Sequence, residues 1–233
     1  SLTARGGVMR DDEKRVVICD MGGVVWKLIN MEKWWDELHY ANNLWTTTQE
    51  FQMAKKVTLK SAWEPFERGD IRAIEFQILF QRNLGLTSLS IPDFWEKYVH
   101  IIGEINLLLI DCLWQMRERG IALALLSNLD VERHNHIRQK HAHEYGIATV
   151  AFHDLFFSYQ IGSRKPEPKI YRHVFREVSM LPQYAYYIDD WLPNIEGMIA
   201  AIPDMPSENM LLYNADRHDE EAVPFFRRHN LIA

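Results

Sequence analysis

Four places in this chain hold side chains whose types suit phosphoryl or metal chemistry. Asp20 follows the apolar run Val16-Val17-Ile18-Cys19 and stands just before Gly22-Gly23. Ser127-Asn128 close a second apolar run, Lys165 opens the stretch KPEPKIY, and the adjacent acids Asp189-Asp190 follow Ala185-Tyr186-Tyr187-Ile188. A carboxylate can attack an electrophilic centre and split one hard displacement into two easier ones. Two neighbouring carboxylates at a strand end suit a hard cation with oxygen ligands, and Mg2+, which keeps several waters, fits such a pair. Consecutive strand residues point to opposite faces, so Asp189 and Asp190 do not ligate equally unless the chain has already turned. Each residue also has a plain structural role open to it. Asp20 can cap the next turn, Ser127 can be an N-cap, the acidic pair can complement a helix N-terminus, and a lone lysine before proline is a common surface residue.

The runs leading into these residues read as strands. Residues 16–19, 121–126, 155–159, 185–188 and 210–213 are short and apolar, as suits strands buried on both faces. Helical periodicity fills the gaps. Ile105, Leu108, Leu109, Cys112, Leu113 and Met116 share one face ahead of Gly120. Ile170, Tyr171, Val174, Phe175 and Val178 do the same behind Pro168, a residue suited to a first helical turn. Ile195, Met198, Ile199 and Ile202 repeat the pattern. Strands alternating with helices predict an α/β fold with a doubly wound parallel sheet. Such sheets bind ligands at the carboxyl ends of their strands, where Asp20, Ser127-Asn128 and Asp189-Asp190 all fall.

Residues 27–103 break the alternation. Ile74 with Ile78, Phe76 with Phe80, and Phe94 with Tyr98 and Ile101 recur at helical spacing, and Trp34, Trp35, Trp45, Trp63 and Trp95 lie in the same segment. It reads as a helical cap inserted after the first strand. The expected organisation is a flexible leader over 1–14, an α/β core formed by 15–26 and 104–233, and the cap over 27–103.

A chain of 233 residues can bury one core and an insertion. Its net charge of −6 gives no field to attract nucleic acid or an anionic membrane, so a phosphorylated ligand needs local positive charge. No apolar stretch approaches the roughly 20 residues of a membrane span, and the polar start lacks the apolar stretch of a signal peptide. Cys19 and Cys112 lie in apolar runs and read as buried thiols of a reducing, cytoplasmic compartment.

The strand-end sites also follow a known order. VVICDMGGVV (16–25), LLSN (125–128), RKPEPKIY (164–171) and YIDDWLPNIEG (187–197) resemble the four motifs of the haloacid dehalogenase superfamily, in its branch with a helical cap between the first two motifs. FERGDIRAIEF (66–76) resembles a cap segment of that branch, and the resemblance covers roughly residues 15–230. It implies a Mg2+-dependent phosphomonoester hydrolase acting on a small phosphorylated metabolite, with Asp20 forming an aspartyl-phosphate. Ser127 and Asn128 would then bind phosphoryl oxygens, and Lys165 would neutralise the nucleophile and the transferring group. Asp20, the Gly22 carbonyl and Asp190 would hold Mg2+, which shields the repulsion between carboxylate and phosphate. Asp189 would orient Lys165 or a bound water, and Asn194 would support the loop.

One position departs from the pattern. Most phosphatases of this superfamily carry D-x-D in the first motif and use the second aspartate as general acid and base; here Gly22 stands in its place. A D-x-G-G/N-V branch is known, and some of its members act on sugar phosphates, so a sugar phosphate is one expected substrate. Three routes around the missing donor stay open: a leaving group that needs little protonation, a donor from His39, His100 or Glu67, or poor turnover by a protein that mainly binds. Two competing readings stay open with them. Dehalogenation of a 2-haloacid would use the same nucleophile, and the Asp189-Asp190 pair counts against it. A non-catalytic binding protein of this fold would not need Asp20, Lys165 and Asp190 together. The stretch RHNHIRQKHAH (133–143) reads as a solvated helix, since histidines two apart share no helix face. Arg164 reads as a surface residue, and the tryptophans of the cap read as its core rather than as a sugar platform.

Overall fold

A computed structural model describes residues 14–40, 47–86 and 88–233. The leader expected over 1–14 lies outside the described residues apart from Lys14, as do Trp45 and the His39 side chain. Strand β1 (Val16–Cys19) is wholly buried. A short strand β2 (Trp26–Leu28) leads into helices α1 (Met31–Tyr40), α2 (Thr48–Thr58), α3 (Glu64–Arg68), α4 (Ala73–Asn83) and α5 (Ile91–Val99), and β3 (Ile102–Ile105) returns antiparallel to β2. The rest alternates: α6 (Leu107–Glu118), β4 (Ala122–Ser127), α7 (Val131–Lys140), α8 (Ala142–Val150), β5 (Asp154–Phe157), α9 (Ser158–Ile161), α10 (Pro168–Val178), β6 (Ala185–Asp189), α11 (Leu192–Ala201), β7 (Met210–Leu212) and α12 (Val223–Arg228).

The main sheet has the order β5-β4-β1-β6-β7, and every pairing in it is parallel. From β1 the chain builds outward through β4 to β5, then crosses back to β6 and β7 on the other side. The winding therefore reverses at β1, which opens a crevice at its carboxyl end. Cys19 lies opposite Leu125 and Ile188, so Asp20, Ser127 and Asp189 leave the sheet almost level with one another. Along β1, Val17 and Cys19 join Leu113 and Phe226 on one face, while Val16 and Ile18 join Ile170, Val174 and Met198 on the other. Helices cover both faces, which is why these strands are continuous apolar runs.

The five helices between β2 and β3 bury a separate aromatic core that includes Trp34, Trp35, Trp63, Phe66, Phe76 and Phe80. Phe66 stacks on Phe76 with centroids 4.3 Å apart. Burying such side chains contributes about 1.5–3 kcal/mol each; α2 runs on through a π-helical segment, Leu59–Trp63, into α3, and the burial holds this long helix against α1, α4 and α5, which are too short to persist alone. Caps fix where two of them start. Thr47 and Glu50 form a reciprocal capping box at α2, and Ser90 accepts the Asp93 N–H at α5. In α4 the Phe76/Phe80 pair turns inward, and this carries Ile74 and Ile78 outward, 48% and 55% exposed.

The insertion is not wholly helical. Trp26 pairs with Ile105 and Leu28 with Ile102, so the two chain crossings are tied into a ribbon, and the boundaries expected at 26/27 and 103/104 fall inside it. Strands of three and four residues are too short for alternation to stand out in sequence. Among the described residues no helix is long and apolar enough to cross a membrane.

Candidate active site

The turn after β1 is built to hold a carboxylate in place. Asp20 donates its backbone N–H to the Ile188 carbonyl at 2.9 Å, so the turn stays stitched to β6. Its Oδ1 accepts the Met21 N–H at 2.7 Å and lies 2.7 Å from Lys165 Nζ. Gly23, with φ of 77°, takes a left-handed turn that few other residues tolerate. A Cβ there would also meet Asp190 Oδ2 at 1.9 Å, so this glycine makes room for the acid on the neighbouring strand end.

Lys165 reaches the site from the loop before α10, and its side chain is buried. Its Nζ bridges Asp20 Oδ1 and Asp189 Oδ2, each at 2.7 Å. Burial alone would lower the lysine pKa, but Asp189 and Asp20 outweigh it and keep the ammonium charged. The Asn128 side chain fixes the lysine backbone: its Oδ1 accepts the Lys165 N–H at 2.7 Å, and its Nδ2 donates to the Lys165 carbonyl at 2.9 Å. The Asn128 amide expected to reach phosphoryl oxygens is therefore already engaged in placing Lys165. Ser127, buried at the end of β4, lines the same cavity.

The two acids of the fourth motif have separated duties. Asp189 is fully buried and saturated: Trp191 N–H and Asn194 Nδ2 donate to Oδ1 at 2.9 Å, while Tyr187 Oη at 2.6 Å, Lys165 Nζ and Asn194 Nδ2 donate to Oδ2. Asp190 carries no such set and faces the cavity. Its carboxyl is pushed up to about 6 by partial burial and by the charge of Asp189, against the pull of Lys165. Burial likewise pushes the Asp20 carboxyl well above the usual range; Lys165 pulls it down, and Asp189 and Asp190 add to the rise.

One oxygen from each of Asp20, Asp189 and Asp190 lies within 4.8 Å of the others. Three carboxylates around one ammonium, two of them buried, are short of positive charge. Hard oxygen donors at this spacing fit a magnesium-sized cation, and Asn194 Oδ1, buried without a partner among the described residues, lines the same cavity. Residues of this chain thus fit a divalent cation at this point.

The cavity above has a volume of about 350 Å³ and runs between the sheet edge and the helical insertion. Its far wall holds a charge network that the sequence did not reveal. Arg133 Nη2 donates to Glu67 Oε1 at 2.7 Å, Arg164 Nε donates to Glu67 Oε2 at 2.8 Å, and Arg133 Nε bonds Asp130. Tyr98 Oη donates to Asp130 Oδ2 at 2.7 Å, and Trp63 Nε1 to Glu67 Oε1 at 2.8 Å. Arg164 is thus a largely buried partner of Glu67 rather than a surface residue, because the helical insertion covers it. Burial would raise the Glu67 carboxyl, but Arg133 and Arg164 together hold it below its usual value, so it is ionised and poorly suited to donate a proton. His100 donates to the Glu96 carbonyl at the end of α5 and does not line this cavity.

The histidine-rich helix is not uniformly solvated either. His134 is buried, with its ring nitrogens 2.9 Å from the hydroxyls of Tyr159 and Tyr145, and those partners let the ring leave water. Trp34, Trp35 and Trp63 lie in the aromatic core of the insertion, and of these only Trp63 reaches the cavity.

A family model described as haloacid dehalogenase-like hydrolase matches residues 14–201. The chain is 22% identical to the sesquiterpene phosphatase astK of Aspergillus oryzae, over 78% of this chain and 83% of that protein. It is 33% identical to a glyceraldehyde 3-phosphate phosphatase of Methanopyrus kandleri over 84 residues, which are 36% of this chain and 34% of that one. In fold it is similar to a haloacid dehalogenase family enzyme of Bacteroides thetaiotaomicron solved with magnesium and inorganic phosphate, with a TM-score of 0.66, 20% identity, and coverage of 87% and 95% of the two chains.

Proposed function

The chain belongs to the haloacid dehalogenase-like hydrolases, and on that premise we propose that it hydrolyses a small phosphate monoester through an aspartyl-phosphate on Asp20, with Mg2+ as cofactor. The observation that carries this reading is the placing of Lys165 between Asp20 and Asp189, with Asp190 beside them at one sheet edge. Residues 15–26 and 104–233 form the catalytic core in this reading, and 27–103 the cap that closes over the substrate.

Asp20 attacks phosphorus. The bond from phosphorus to the ester oxygen breaks, its electron pair leaves on that oxygen, and the departing oxyanion takes a proton from solvent water. Water then attacks the phosphoryl group and releases phosphate with Asp20 restored. Lys165 offsets the charge of Asp20 and the transferring group, and Asp189 holds Lys165 in position. Ser127 binds a phosphoryl oxygen, with Asn128 fixing the lysine backbone beside it. Asp20, Asp190 and the Gly22 carbonyl would hold Mg2+, which when bound supplies charge that lets two anions approach. Asn194 steadies Asp189.

No donor stands where Gly22 is, and Glu67 is held ionised, so leaving groups that need little protonation suit this site. Two phosphatases by name among its relatives support the phosphoryl reading. Halide displacement from a 2-haloacid is disfavoured by the acidic cluster, which would repel both the substrate carboxylate and the departing halide. The test is phosphate release from acetyl phosphate and a panel of monoesters, with and without Mg2+. The expected result is Mg2+-dependent release that is lost in Asp20→Asn; release that persists in Asp20→Asn removes the proposal.

A further inference from the structure

The catalytic floor of the cavity is charged, but most of the rest is not. Leu28, Met31, Trp63, Ile101 and Ile102 line it toward the helical insertion, and Leu129 adds to the apolar lining from the core. The polar groups among them are already matched to one another. Glu67 has both oxygens engaged by Arg133, Arg164 and Trp63. Arg133 lies over the Trp63 ring, 4.9 Å from its centroid, and so occupies one face of that ring. A sugar in this space would have to bury hydroxyls against aliphatic side chains, and an unpaired buried hydroxyl is costly. A second anionic group would find its two nearest cations already neutralised by Glu67 and Asp130. At the rim, Leu28 and Trp191 are 40% and 50% exposed, apolar surface that an apolar ligand would cover.

Resting on the phosphatase reading above, we propose that the substrate is the phosphate monoester of an apolar, phenol-like alcohol whose hydroxyl leaves with little protonation, held by its hydrocarbon body against Leu28, Met31 and Ile102 while the phosphate meets Asp20. The cavity of about 350 Å³ lies at the small end of ligand pockets, so it takes a single ring or a short chain rather than a large lipid. The sugar phosphate expected from the sequence is the competing class.

A series of 4-alkylphenyl phosphates tests it, because the alkyl tail lengthens while the leaving group stays chemically constant. Each methylene buried against the wall should raise kcat/KM by about fourfold, from methyl to butyl. Leu28→Gln should reduce that slope, and since Leu28 is 40% exposed the change leaves the fold intact. Glucose 1-phosphate should be a poorer substrate than the longer members. A flat or falling series, or a preference for glucose 1-phosphate, overturns the apolar class and leaves the phosphatase reading standing. Failure of wild-type protein with Mg2+ to hydrolyse acetyl phosphate, whose acyl group needs no apolar wall, overturns the phosphatase reading and this inference with it.

Discussion

Lys165 reaches between Asp20 and Asp189 from the loop before α10. It is buried and bonded to two carboxylates at 2.7 Å, and removing one member of such a set leaves uncompensated charge. Lys165→Met should lower stability by about 3–5 kcal/mol, read by urea unfolding, as well as abolish turnover. Gly22 invites the opposite experiment. A Cβ there would sit 3.4 Å from Leu28 Cδ1, an ordinary contact, so Gly22→Asp should fold and place a carboxyl at the cavity. If the missing donor limits turnover, the variant should speed hydrolysis of poorly leaving alkyl esters by about 10²-fold, and its rates should depend less on leaving-group pKa than those of wild type. Equal dependence in both proteins would show that position 22 cannot donate. At this scale much was legible. Asp20, Lys165, Asp189 and Asp190 could be named because each sits at a strand end or before a helix with a distinctive neighbourhood. Arg133 and Arg164 could not, because nothing local tells a buried arginine from a solvated one; only the covering helices decide it.

The elements position these residues through close approach. Gly197 of α11 packs on the loop that carries Lys165, and a Cβ there would meet Pro166 Cβ at 2.7 Å and its carbonyl oxygen at 2.9 Å. Gly197→Ala should therefore push that loop aside and lower kcat with little change in KM, a split that steady-state kinetics with 4-methylphenyl phosphate reads directly. A raised KM with kcat unchanged would point to binding rather than to the lysine. The central strands β1, β4 and β6 were legible from their unbroken apolar runs, since burial on both faces removes any alternation; edge strand β5, which opens on exposed Asp154 and Leu155, ends at Phe157 rather than at 159, where α9 has already begun. The ribbon of β2 and β3 was not, because its partners are far apart in sequence and each strand is only three or four residues long. The same limit applies to α4, where two apolar pairs share the helical spacing and only packing decides that Phe76/Phe80 face inward.

Across the whole molecule, the core and the helical insertion meet through buried charge as well as through the ribbon. Glu67 from α3 joins Arg133 and Arg164, and Tyr98 from α5 joins Asp130. Because the Glu67 carboxyl titrates below its ordinary value of 4.5, the stability it contributes is full above that value and is lost as pH falls through the lowered folded one. Glu67→Gln should thus melt below wild type at neutral pH, and the gap in Tm should narrow as the solution is acidified below 4.5; a gap independent of pH would mean that Glu67 acts by packing alone. Nucleophilic attack by Asp20 on phosphorus leaves a trace that can be caught by acid-quenching the protein during turnover of acetyl phosphate with Mg2+ and reading its peptides by mass spectrometry. A phosphoryl group should appear on Asp20 and be absent without Mg2+ and absent in Asp20→Asn. Steady phosphate release with the label on another residue, or with no phosphorylated peptide at any quench time, would contradict attack by Asp20.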